Sequence, residues 1–292
     1  QFMYNQPDPI KIETSKPVEY LVIGHITADL TDSGIKLGGT AAFSGLTAQK
    51  LGLNTGIVTS FAPDLDTTPI NELWVTNKIS EETTTFKNIS HGADRDQFLF
   101  FTAHRLTKSD LPALMPPPVI VHLGPVANEV DPDILSCYPT SLKCLTPQGW
   151  FRRRKDDQKV DHQHWEACEQ YLAQADIAVI SQEDVQKDEE QIARMASAIP
   201  VFVVTENDKG ARVYWHNDAR YINAPGVKYV DDTGAGDIFA TAFFYRYFKT
   251  RDPWESGRFA VQLASGSVTR KHLDSIPTSE EIEQAKMELL GH

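Results

Sequence analysis

The sequence predicts an α/β fold built on a mostly parallel sheet. Two observations carry that reading. Short apolar runs alternate with helical patterns along the chain, which argues for a doubly wound sheet with right-handed crossovers. The runs in EYLVIG (19–24), VIVHLG (119–124), IAVIS (177–181) and VFVVT (201–205) are nearly continuous, as in parallel strands buried on both faces. In such folds ligands bind at the carboxyl ends of the strands. The segments Gly24 to Asp29, Gly124 onward, Ser181 to Asp184 and Thr205 to Gly210 are therefore expected to rim a site.

Taken in order, residues 1–17 read as a polar, Pro-containing tail and 18–292 as one domain. After the first strand, Gly38 to Leu51 reads as a helix opened by two glycines, and Leu53 to Ser60 as a strand. TTTFKNI (83–89) and QFLFFTAHR (97–105) have strand character and are joined by the turn-rich SHGADRD. They predict an antiparallel excursion from the main sheet at 83–105. A further strand is expected at 141–146, and helices at 163–174, 186–198, 235–249, 254–270 and 278–290.

Composition narrows the function. The chain has 292 residues, 41% of them hydrophobic, enough for a large core. A formal net charge of −12 repels nucleic acid and anionic membranes, so neither is an expected partner. No apolar run reaches the roughly 18 residues of a membrane helix. The three cysteines, Cys137, Cys144 and Cys168, form no CxxC, which fits reduced thiols and a cytoplasmic setting. His162, His164 and Cys168 lack zinc-motif spacing and read as surface residues at a helix start. Arg152 to Lys155 is a basic run that reads as a solvated loop.

The chemistry concentrates in VDDTGAGDIFATAFF (230–244). The helix from Ala235 is apolar nearly all round, which marks it as buried. Its first turn then aims unsatisfied N–H groups into a cleft, and Gly234, Ala235 and Gly236 let a ligand approach the backbone. A helix N-terminus of this kind is an anion site by geometry and dipole. Asp237 in the same turn is placed to deprotonate a hydroxyl that attacks a phosphoryl group. An ordinary turn and cap would use the same residue types, with Asp237 merely complementing the dipole. A dinucleotide fingerprint is incomplete here, and no Walker A pattern occurs.

DDTGAGDIFATAFF strongly resembles the carboxyl-terminal signature of the PfkB, or ribokinase-like, carbohydrate kinases. GHITAD (24–29), LGGTAAFSG (37–45), HLGPVANEV (122–130), LTPQGWFRR (145–153) and VTENDKGARVY (204–214) are similar to family segments in family order, so the resemblance covers about residues 18–290. It implies a three-layer α/β/α sandwich with a mostly parallel central sheet and an antiparallel β-lid over the acceptor. It implies a cytoplasmic transferase that uses ATP and Mg²⁺ to phosphorylate an alcohol group on a sugar or polyol. By the same resemblance Asp237 is the general base, with the Gly234, Ala235 and Gly236 amides as anion hole. Asp29, Gly38, Gly39 and Thr40 would bind the acceptor. Ser181, Thr205, Asn207 and Gly210 would line the nucleotide pocket.

Departures from the family pattern refine these expectations. Only LTDSGIKL separates Asp29 from Gly38, so the lid is expected to be reduced and built mainly from 83–105. Phe43 stands where ribokinase has a sugar-binding Asn, and is expected either to stack on the acceptor or to pack the helix into the core. Ser181-Gln182-Glu183-Asp184 stands at the family's NxxE motif, so Asp184 or Glu183 would serve Mg²⁺ through water. Asp231 is placed for a monovalent cation such as K⁺, although Lys271-His272 occupies a position usually taken by Gly. Gln148 and Arg152 are expected on the acceptor side, where Arg152 could pair with an anionic group. The GGTAAF segment looks like that of inositol-kinase relatives. A nucleoside kinase or a non-catalytic sugar- or nucleotide-binding regulator of the same fold are the alternatives, and the chain is expected as a monomer or homodimer.

Overall fold

The computed structural model describes residues 16–91 and 94–290. The expected tail therefore lies almost wholly outside the described residues. In chain order the elements begin with β1 (Tyr20–Ile23), β2 (Thr27–Thr31), β3 (Gly34–Gly38), α1 (Thr40–Lys50), β4 (Thr55–Thr59) and β5 (Trp74–Asn77). Next come β6 (Thr85–His91), β7 (Asp94–Phe101), β8 (Ile120–Leu123), β9 (Leu142–Leu145), β10 (Arg152–Arg154) and β11 (Val160–His162). Then follow α2 (Cys168–Leu172), β12 (Ile177–Ser181), α3 (Glu189–Ser197), β13 (Val201–Thr205), β14 (Gly210–Trp215) and β15 (Asp218–Asn223). The chain closes with α4 (Ala235–Thr250), α5 (Pro253–Ser267) and α6 (Ser279–Leu290).

The main sheet runs β15-β14-β13-β12-β9-β8-β1-β4-β5. Pairing is parallel from β13 through to β5, and only the β13-β14-β15 edge is antiparallel. The apolar runs explain this. Alternate residues of each central strand enter two different cores. Tyr20, Val22, Ile177, Val179, Val201 and Val203 pack with α1, α4, α5 and α6. Leu21, Ile23, Ala178, Ile180, Phe202 and Val204 pack with α2 and α3 on the other face. A strand with helices on both sides has no face left for polar residues. The result is three layers.

A second, four-stranded sheet runs β3-β2-β6-β7. It corrects the expectation of a reduced lid. Residues 30–37 are not a link but a hairpin, with β2 and β3 paired antiparallel from Thr27–Gly38 to Thr31–Gly34. β2 then pairs parallel to β6, so the sheet is mixed. Phe86, Leu99 and Val126 form its own small core. The β10–β11 hairpin docks on β7, where Leu99 N–H donates to the Gln158 carbonyl at 2.8 Å and Lys159 pairs with Asp96 at 2.7 Å.

Other expectations also need correction. The helix foreseen at 163–174 shrinks to Cys168–Leu172, because residues 160–162 pair as a strand and Ala167 is left-handed, φ 56°. Cys168 is buried in the core rather than at the surface. The basic run is no free loop. Arg152–Arg154 is a strand, and Arg153 pairs with Asp161 at 2.8 Å. The β14–β15 hairpin was not foreseen, although its turn, His216 and Asn217 with φ 49° and 63°, is of the tight primed kind.

Candidate active site

The carboxyl ends of β1, β8, β9, β12 and β13 converge with the start of α4. Gly234 opens this helix with φ 80°, a conformation that a side chain strains. A Cβ at Gly234 would also overlap the Phe43 ring. Phe43 is 1% exposed and lies edge-on to His272, ring centroids 5.5 Å apart. It is therefore core beneath the turn, with no ring face left open to stack on an acceptor. An Asn there would leave a buried amide, whereas an aromatic ring fills the space under the glycine.

The turn above it differs from expectation in one detail. The Ala235 N–H donates to the Asp232 carbonyl at 3.0 Å, so this amide is used within the turn. The amides of Gly234 and Gly236 have no acceptor among the described residues. A Cβ at Gly236 would meet open space, so the approach to these amides is clear. The start of α4 thus offers two free donors at the positive end of a 16-residue helix.

Asp237 follows in the same turn. Its Oδ1 accepts a hydrogen bond from Thr40 Oγ1 at 2.8 Å. Gln148 Nε2 donates to that same hydroxyl at 2.9 Å, and Arg152 Nη2 donates to Gln148 Oε1 at 2.8 Å. The Gly38-Gly39 entry to α1 places Thr40. Gly39 takes φ 86°, and a Cβ on Gly38 would overlap the Asp29 carboxylate. The Asp237 carboxyl is pushed up to about 6. Desolvation is the largest cause, and the negative charges of Asp184 and Asp29 add to it, while the Thr40 hydrogen bond and Arg152 pull the other way. Its side chain keeps some contact with the cleft, but protein surrounds it closely enough for desolvation to dominate. A carboxylate in this range is suited to accept a proton near neutral pH.

Asp29, on β2, accepts from Thr27 Oγ1 at 2.8 Å and lies 3.4 Å from His272 Nε2. Asp184 accepts from the Ser181 N–H at 2.8 Å as the far half of a capping box. Its carboxyl is raised, chiefly by desolvation and against the pull of Arg152. Glu183 instead is exposed and pairs with Lys187 at 3.1 Å, so of these two acids Asp184 is the one coupled to Asp237. Ser181 and Thr205 are register partners on β12 and β13, and Thr205 Oγ1 donates to the Ile180 carbonyl at 3.3 Å. Asn207 starts the following turn with φ 53°. At Gly210 a Cβ would overlap the β15 backbone, so that glycine serves the hairpin.

Asp231, expected as a possible cation ligand, ties two loops together. Its Oδ1 accepts from Thr233 N–H and Oγ1 at 2.9 and 2.7 Å, and its Oδ2 from the His272 N–H at 3.0 Å. Burial works against the charge, but these bonds hold the carboxyl below its ordinary value. Both oxygens tie the α4 entry loop to the 270s loop, and the three bonds leave a carboxylate lone pair on Oδ2 over. Among the described residues no group of three or more His, Cys, Asp or Glu could hold a metal directly.

Two positioning residues had no local signal. Glu129 is 2% exposed and accepts from the amides of His25, Val126 and Ala127 at 2.7 to 3.1 Å, clamping the β1 and β8 exits together. His272, left-handed at φ 50°, joins Asp231, Asp29 and Phe43. A cavity of about 710 Å³ lies beside the lid sheet, lined by Leu30, Leu37, Asp64, Glu82, Phe101 and His272 among others. It does not include Asp237. Through His272 it adjoins Asp29.

Residues 144–279 match the pfkB family carbohydrate kinase model. That segment is just under half of the chain. It is similar over 68 residues, at 32% identity, to a probable fructokinase-5 of Arabidopsis thaliana. That match covers 23% of this chain and 21% of the relative's length. A pyrophosphate-dependent kinase in the ribokinase family, complexed with a pyrophosphate analog and myo-inositol, superposes with a TM-score of 0.78 at 21% identity, covering 91% of this chain and 99% of that one. A ribokinase of Thermotoga maritima gives 0.70 at 20% identity, over 92% and 99%. A nucleoside kinase of Methanocaldococcus jannaschii gives 0.66 at 19%, over 94% and 99%. These likenesses show the fold, the ribokinase-like α/β/α sandwich. The pfkB match spans the TPQGW segment, β12 to β15 and the whole α4 entry, so it includes Asp237 and Gln148 but not Thr40.

Proposed function

We propose that this chain is a member of the pfkB family and transfers the γ-phosphoryl group of ATP to an alcohol group of a sugar or polyol. The observation that carries the reading is the α4 entry: two free amides beside a carboxylate pushed up to about 6. Asp237 takes the proton of the acceptor hydroxyl. The acceptor oxygen forms the new bond to phosphorus as the bond to the leaving oxygen breaks, and ADP departs with that electron pair. The Gly234 and Gly236 amides stabilise the charge that develops on the transferring group. Asp184 fits a water-mediated Mg²⁺, since its second oxygen is left over from the cap, and the ion would offset phosphate charge. Asp29 and the Gly38-Gly39 backbone hold acceptor hydroxyls. Ser181, Thr205 and Asn207 form the donor side.

A cyclitol acceptor is supported by the likeness to a kinase complexed with myo-inositol. The same likeness names pyrophosphate as that protein's donor, so the donor is a question for experiment. A nucleoside acceptor finds support in the weaker likeness to a nucleoside kinase. A non-catalytic regulator would have no use for the poised base. No described helix is long and apolar enough to cross a membrane, and the cysteines are unpaired, which suits the proposed cytoplasmic setting. Sizing of the purified chain decides between monomer and homodimer.

The test is a panel of cyclitols, hexoses, pentoses and nucleosides with Mg²⁺ and either ATP or pyrophosphate. Transfer to a polyol or sugar is expected. Asp237→Asn is expected to lower kcat by about 10³-fold or more while the donor still binds. Equal turnover in the variant would remove Asp237 as the base, and no transfer to any acceptor would remove the kinase reading.

A further inference from the structure

The base does not stand alone. Its hydrogen bond from Thr40 is the last of three, and the chain begins at a guanidinium. Arg152 donates to Gln148, Gln148 donates to Thr40, and Thr40 donates to Asp237, at 2.8, 2.9 and 2.8 Å. The members come from separate parts of the fold: β10, the turn after β9, the first turn of α1 and the first turn of α4. Arg152 is itself held by the Val126 carbonyl at 3.1 Å.

Every link has one permitted polarity. A guanidinium carries donors and no acceptor, so the Gln148 oxygen must face it. That turns the Gln148 NH₂ toward Thr40. An N–H cannot accept, so the Thr40 oxygen receives it and the single Thr40 proton must point elsewhere. It points at Asp237 Oδ1. Flipping the amide would set donor against donor at Arg152, so the sequence of bonds locks as a whole. The second carboxylate oxygen, Oδ2, has no hydrogen bond from the described residues.

We propose that Gln148 and Arg152 are positioning residues for the base: they orient the Thr40 hydroxyl so that Asp237 presents Oδ1 to the protein and Oδ2 to the acceptor proton. This rests on the phosphoryl-transfer reading above and revises the direct acceptor-binding role expected for both. It explains why an amide and an arginine four residues apart are bonded to each other and to Thr40. It also makes Thr40, at the glycine-rich entry to α1, part of the proton-transfer geometry.

The test compares Gln148→Met, which keeps the length but neither donates nor accepts well, with Gln148→Glu, which offers acceptors to both neighbours and draws the Thr40 proton away from Asp237. Both are expected to lose about 10- to 100-fold in kcat with acceptor KM changed less than about 3-fold. The acid limb of the pH profile is expected to move up, because the Thr40 proton is no longer fixed on the carboxylate. Thr40→Val should show the same displacement and Thr40→Ser should restore the limb. The other groups coupled to Asp237 are Arg152, Asp184, Asp29 and Tyr20, and none is altered in these variants. A rise in KM at constant kcat would overturn the proposal and make Gln148 an acceptor ligand. Carboxyl ¹³C NMR of Asp237 in the wild type and Gln148→Met reads the coupling without catalysis. If no acceptor is phosphorylated yet the Asp237 titration moves, the kinase reading fails and the positioning stands. If the enzyme turns over and neither the titration nor the acid limb moves, the positioning fails.

Discussion

At the scale of single residues, Asp237 works against the stability of the fold. Burial raises its carboxyl to about 6, so the folded chain holds that proton more tightly than the unfolded chain does. This contribution to stability is complete below the unfolded carboxylate value, and is lost as pH rises through about 6. At neutral pH the charged form is retained at a cost, which suits the proposed role as a base. Asp237→Asn is therefore expected to be more stable than the wild type at pH 8, by about 1–2 kcal/mol, and to lose that advantage at pH 4. Urea midpoints at the two pH values measure it. An advantage that is equal at both would mean that proton binding is not its source.

At the scale of elements, short loops do most of the positioning. The turn before α4 is held from below by Phe43 and from the side by Asp231, which reaches both Thr233 and His272. The exits of β1 and β8 are held by Glu129, whose two oxygens receive amides from both loops. A buried carboxylate surrounded by donors loses twice when one oxygen becomes an NH₂, since the new donor faces other donors. Glu129→Gln is expected to destabilise the chain by about 2–4 kcal/mol, read from denaturant midpoints. Since Asp29 follows His25 closely, acceptor KM should rise in the same variant.

At the scale of the molecule, two large cores sandwich the main sheet, while the cluster under the lid sheet is small, with Phe86, Leu99 and Val126 buried in it among the described residues. Regions with few buried contacts open locally at a lower free energy than the core. Hydrogen exchange should therefore be faster in β2, β3, β6 and β7 than in β1, β8 and β12. Uniform protection across both sheets would show that the lid is part of the global unfolding unit. A lid that opens separately suits a cleft that must admit an acceptor and then exclude water.

The sequence by itself determined the layers and pointed to the α4 entry as the candidate site. Apolar runs of strand length announce burial on both faces, and the DTGAGD turn before an apolar helix announces an anion site, because both signals lie within neighbouring residues. It mistook the 30–37 hairpin for a link, and Phe43 left both stacking and core packing open. A two-stranded segment of mixed polarity is decided by the strands it meets, and a ring's surroundings by what folds over it. Glu129, His272 and the line from Arg152 to Asp237 were decided by tertiary structure alone. Thr40 and Asp237 are 197 residues apart, and no local pattern states that a hydroxyl at one will donate to a carboxylate at the other. Such a bond exists only because the parallel sheet brings the starts of α1 and α4 to the same edge.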